Sequence, residues 1–181
     1  MVISLDLLRR VTDEDLLLLS ERNPGYQFER TTDGRLVVSP IGGESGQRSG
    51  EVFSQLWAWN RRANLGVVFD ASTGFNLPDG SCRSPAASWI RREWWDALSR
   101  AQRKGFPPLC PDAVFEVRSE SDRLADLRTK MELYLANGTL IAPLVDAESR
   151  VVEVYRPGQE PERHKNVNAV SLDPDLPGFV L

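Results

Sequence analysis

Along CPDAVFEVRSESDRLADLRTKMELYLANG (110–138) the spacing of apolar residues switches from a period of two to a helical one. In the first part Ala113, Phe115 and Val117 share one face of a predicted strand, and Asp112, Val114, Glu116 and Arg118 share the other. After the turn SESD, Leu124, Leu127, Met131, Tyr134 and Leu135 recur at helical spacing, which predicts a helix capped by Ser121 or Asp122 and closed by Asn137-Gly138. Lys130 falls three residues after Leu127 and four before Tyr134, beside the apolar stripe. A strand carboxylate and a helix ammonium can therefore meet at one site. The same spacing is met by a Glu116 on a solvent face and a Lys130 whose stem packs on the helix with its charge in water.

The flanking pattern supplies the remaining elements. A helix over 13–22 is capped by Thr12, carries Asp13, Glu14 and Asp15 in its first turn and stops at Asn23-Pro24-Gly25. Strands over 26–29 and 35–39 flank Asp33-Gly34, a hairpin signal, and Glu29 lies on the first of them. Val52, Leu56 and Trp59 mark a helix over 45–64, and strands follow over 67–70 and 86–90. A helix over 91–103 precedes the central unit, and strands over 140–145 and 151–155 form a hairpin after it. From Pro157 the chain is polar and Pro-rich, adding at most a short strand or an arm. This order predicts an α/β or α+β mixed sheet with helices on its faces. It divides a single domain, 1–181, into a helix and hairpin (12–40), a core (41–156) and a C-terminal arm (157–181).

A chain of 181 residues with 41% hydrophobic and 27% charged residues can bury one sizeable core. Its net charge of -4 excludes a generally basic nucleic-acid-coating protein, so any polyanion contact must be local. The densest basic stretch outside the central unit holds Arg91, Arg92, Arg100, Arg103 and Lys104. Cys82 and Cys110 form no CxxC pair and His164 is the only histidine, which points away from zinc and toward a hard cation held by carboxylates. The glycine-rich IGGESGQRSG lacks the GK[ST] ending of a phosphate-binding loop and reads as the entry to a helix. With no membrane-spanning run and no signal-peptide pattern, the expected setting is the cytoplasm, with free thiols.

The segments NPGYQFERTTDGRLVV, IGGESGQRSGEV, GFNLPDGSCRSP, CPDAVFEVRSESDRLADLRTKMELYLANG and VEVYRPG resemble the Uma-two family of the PD-(D/E)XK restriction-endonuclease-like superfamily, from about residue 12 onward. The resemblance implies a restriction-endonuclease-like core and hydrolysis of nucleic-acid phosphodiesters, DNA first among them, with Mg2+ or Mn2+ held by carboxylates beside a lysine. Carried over by position, Glu116 and Lys130 match the strand glutamate and helix lysine, and Glu29 is a further acidic member. The backbone carbonyl of Val117 joins the expected metal ligands. Arg118 stands where the plainest form of the motif has a lysine, and with Arg91 and Arg92 it is an expected phosphate contact.

Two positions depart from the pattern. Ala86 occupies the place of the metal-binding aspartate after Ser84-Pro85, and a methyl group offers no ligand oxygen. Asp112 is too distant to replace it, four residues from Glu116, or roughly 13 Å along an extended strand. Ala142-Pro143 stands where relatives carry an aromatic core residue, and the proline favours an edge or bulged strand. The expectation is a weakened or inactive nuclease; the alternatives are a non-catalytic nucleic-acid- or protein-binding homologue and an active nuclease that recruits Glu29, Glu116 and another acidic group in place of the aspartate. Homodimerisation is expected through a surface formed by Trp57, Trp59, Trp94 and Trp95.

Overall fold

The computed structural model describes residues 2–181. In chain order its elements are β1 (Ile3–Leu5), α1 (Asp13–Arg22), β2 (Tyr26–Arg30), β3 (Leu36–Pro40), α2 (Gly43–Ala63), β4 (Gly66–Asp70), β5 (Phe75–Asn76), β6 (Cys82–Arg83), β7 (Ala87–Arg91), α3 (Arg92–Ala97), α4 (Arg100–Lys104), β8 (Ala113–Val117), α5 (Leu124–Ala136), β9 (Ala142–Asp146), β10 (Val151–Tyr155) and β11 (Glu162–Lys165). They form a five-stranded sheet, β1-β3-β2-β6-β5, and a six-stranded sheet, β11-β10-β9-β8-β7-β4. The architecture is mixed α/β, as the pattern predicts.

Strand β8 lies inside the larger sheet and is buried at all five positions. It pairs antiparallel with β7 and parallel with β9, and the parallel step is made by the crossover through α5. The period-two pattern sends its residues to two cores. Ala113, Phe115 and Val117 pack with Val52, Leu56 and Trp59 of α2, whereas Val114 packs with Leu127, Met131 and Tyr134 of α5. Glu116 takes the α5 face by the same alternation. A third core, built from Leu16, Phe28, Leu36 and Cys82, seats α1 on the hairpin of β2 and β3. Gly34 makes that hairpin's turn with φ +88, a conformation that side chains with a Cβ rarely adopt.

The structure corrects three expectations about single elements. The predicted helix over 91–103 is two short helices, because Ser99 opens α4 with a capping box to Gln102. Helix α5 has no side-chain cap from Ser121 or Asp122; Asp122 instead accepts from the backbone N–H of Ser119 at 2.8 Å, closing the turn before the helix. Strand β9 is interior despite Pro143, and it is not bulged. The β8 to β9 register is the same on both sides of the proline, from the Ala113–Ile141 bridge to the Glu116–Leu144 pair, and only the rungs nearest Pro143 are missing.

Residues 157–181 are more than an arm. Strand β11 extends the larger sheet, and Val170, Leu172, Leu176 and Phe179 are buried in the α2-side core. The indole N–H of Trp59 donates to the carbonyl of Pro177 at 2.9 Å, and the Phe179 ring meets Trp59 and Phe115 edge-on. The same packing dissolves the expected tryptophan surface. Trp59 is buried and Trp95 packs on Phe69, leaving Trp57 and Trp94 exposed. Among the described residues, no helix is long and apolar enough to cross a membrane.

Candidate active site

Glu29, Glu116 and Lys130 arrive from three elements. Strand β2 turns its last three residues inward, which buries Glu29, and β8 presents Glu116 toward α5. From α5, Lys130 reaches between them, and its Nζ lies 2.8 Å from one oxygen of each carboxylate. Tyr134, one helical turn on, donates its hydroxyl to Glu116 at 3.0 Å. The far side of Glu29 is held by the backbone N–H of Ser84 at 2.8 Å and by the Arg83 guanidinium at 3.2 Å.

Burial opposes ionisation at every one of these groups. At Glu29 it is outweighed by the charges of Lys130 and Arg83, and the pKa falls below the usual carboxylate value. At Glu116 burial prevails over the attraction of Lys130, repulsion from Glu29 adds to it, and the pKa rises. Burial pulls Lys130 down, but Glu116 and Glu29 together raise it above its ordinary value. Tyr134 is pushed well above 10.0, first by burial and then by the Glu116 charge. The cluster therefore sets two carboxylates against two cations, with no surplus negative charge.

Glu29, Glu116 and Lys130 open onto a cleft of about 400 Å³, also lined by Asp70, Asp122, Ser84, Ala86 and Val117 and by the first turns of α2. Ala86 is partly buried, at the mouth of β7, with its methyl against the α2-side core. It shares the cleft with Glu116 and Lys130 but offers no oxygen. Among the described residues, no three His, Cys, Asp or Glu side chains gather as metal ligands. The donor set thus does not fit a divalent ion: both central carboxylates are paired with an ammonium, and the other two on the cleft wall, Asp70 and Asp122, accept from Ser72 and Ser119 instead of gathering with them.

The arginines named from sequence lie elsewhere. Arg118 pairs with Asp146 at 2.7 Å, and Arg91 pairs with Asp112 at 2.7 Å at the opposite end of β7 from Ala86. Arg92 donates to the carbonyl of Gly66 at 3.0 Å beside the end of α2. None of the three lines the cleft. Asp112, engaged by Arg91, is no substitute ligand. Sequence reasoning missed Arg83, Ser84 and the polar role of Tyr134. The first two follow a turn and have no periodicity, and Tyr134 was absorbed into the apolar stripe, where its ring does belong.

Residues 13–181 match the Uma2 family, described as "Putative restriction endonuclease". The chain belongs to the Uma2 family. Its fold is shared with a solved structure titled "Crystal structure of a putative nuclease belonging to DUF820 from Anabaena variabilis ATCC 29413", at TM-score 0.71 and 19% identity, over 92% of this chain and 91% of that one. No curated protein matches the chain. Within the Uma2 fold, the cleft is formed where the small sheet, through Glu29, meets the large sheet, through Glu116, with Lys130 between them.

Proposed function

We propose that this chain is a nuclease-fold protein whose cleft engages nucleic-acid phosphodiesters, DNA first among them, and which hydrolyses them weakly or not at all. The observation that carries this reading is the position of Lys130, 2.8 Å from both Glu29 and Glu116, in a cleft that Ala86 lines. A hard cation needs carboxylate oxygens with charge to spare. Here the ammonium occupies the space between the two carboxylates, and the residue that family resemblance expects to tip the balance is a methyl group. Membership of the Uma2 family supports nucleic acid as the polymer. The serine-rich walls and first turns of α2 offer hydroxyls and backbone N–H groups suited to phosphate oxygens.

The test is cleavage of supercoiled DNA with Mn2+ by this chain, by Ala86→Asp and by Ala86→Asp/Glu116→Ala. The expected outcome is activity in Ala86→Asp alone. Cleavage by the parent chain as fast as by Ala86→Asp would overturn the claim that the site is impaired. Cleavage by none of the three would leave a binding protein with the nuclease fold, provided that DNA still associates with the folded chain.

A further inference from the structure

Among the described residues, seven of the fifteen exposed large hydrophobic side chains fall within positions 2–18, and Leu8 is wholly exposed. The strand in this region, β1, is the outermost of its sheet and pairs only with β3. Its Ile-Ser-Leu sequence carries no charge or proline of the kind that protects an edge from further pairing. In the ladder, Ile3 faces Val38 and Leu5 faces Leu36. Cross-strand partners share a sheet face, and Leu36 and Val38 pack in the core under α1, so Ile3 and Leu5 continue that apolar face beyond the cover of α1. Leu7 and Leu18 prolong it, lining a groove of about 320 Å³ whose Arg9 and Asp15 already pair with each other at 2.6 Å.

The occupant that best fits is a second copy. An antiparallel strand pair is self-complementary, so a single two-fold axis satisfies both free edges and brings the two apolar faces side by side. On that face Ile3, Leu5, Leu7 and Leu18 are each more than two-fifths exposed, and pairing of the free strand edge would add main-chain hydrogen bonds to the apolar area the two copies bury. This strand also precedes the residues that match the family, so family membership assigns it no role.

We propose that two copies pair β1 with β1 about a two-fold axis near Ser4, joining their five-stranded sheets into one continuous sheet. The axis is perpendicular to the sheet, so both α1 helices lie on one side. Val2 lines the candidate active cleft, on the opposite side from Ile3 and Leu5, and both clefts therefore open together on the other side.

Sedimentation velocity from low to high micromolar concentration tests the proposal. The chain is expected to reach twice its monomer mass, and Ile3→Lys/Leu5→Lys to remain monomeric with unchanged circular dichroism and melting. A parent chain that stays monomeric, or a dimer that both lysines leave intact, overturns it; the latter would move the contact to another face, such as that of Trp57 and Trp94. Ser4→Cys provides an independent reading if the double variant fails to fold. Mild oxidation should yield an intermolecular disulfide absent from the parent, and failure to cross-link would overturn the proposed axis.

Discussion

Lys130 is held by what it neutralises. Removing its ammonium leaves Glu29 and Glu116 facing each other in a buried site, and a buried charge stripped of its partner costs roughly 3–5 kcal/mol. Lys130→Met should therefore lower the urea-unfolding free energy by about that much, and adding Glu116→Gln should recover part of the loss. The pH dependence has a definite sign. The Lys130 pKa is raised in the folded chain by Glu116 and Glu29 against the effect of burial, so its contribution is complete below the unfolded value of 10.5 and is lost as pH rises through the folded value. The stability difference between the parent and Lys130→Met should thus shrink above about pH 10.5. A difference that stays constant into strong alkali would show that Lys130 is not engaged as the geometry has it. Tyr134, also raised, loses its contribution in the same direction in both proteins and cancels from the comparison to first order.

Among the elements, the last twenty or so residues show where sequence pattern stops being informative. The central strand and helix were legible because a period of two and a helical period are properties of neighbouring residues, and Glu116 and Lys130 could be placed from them. The 13–22 helix was legible from its cap, which forms the capping box between Thr12 and Asp15. Val170, Leu172, Leu176 and Phe179 have no common period, since prolines and polar residues separate them, and their burial is decided by a core supplied from α2 and β8. Arg83 and Ser84 escaped for the same reason: their contact with Glu29 spans more than fifty residues of chain. Arg91 and Arg92 lie away from the cleft, because charge density along the chain does not say which end of a strand it reaches. Phe179 measures the tail's contribution. It is nearly fully buried among Trp59 and Phe115, so Phe179→Ala should cost about 3–5 kcal/mol in urea unfolding. A loss below about 1 kcal/mol, within the range of surface substitutions, would mean that the tail is dispensable.

For the whole molecule, the charge balance of the cleft governs what can enter it. The chain carries a net charge of -4, so it gains no general attraction for a polyanion, and association with nucleic acid rests on local groups. At the centre of the cleft Lys130 pairs with both Glu29 and Glu116, and the remaining carboxylates on its wall, Asp70 and Asp122, accept from Ser72 and Ser119, so none is left free to draw a divalent ion. An aspartate at position 86 adds one negative charge at the mouth of β7, on the cleft that Glu116 lines, and so supplies both the missing oxygen and the missing charge. Ion binding can then be read without any catalysis. A ligand that binds only the folded state at a hundred times its dissociation constant adds about 2.7 kcal/mol of stability. For a chain of this size that corresponds to a melting shift of roughly 5–10 °C. Saturating Mn2+ should raise the melting temperature of Ala86→Asp by several degrees, leave the parent unchanged and lose its effect in Ala86→Asp/Glu116→Gln. A comparable shift in the parent would show that Lys130 yields its place to the ion, and that the carboxylates of Glu29 and Glu116 suffice to hold it.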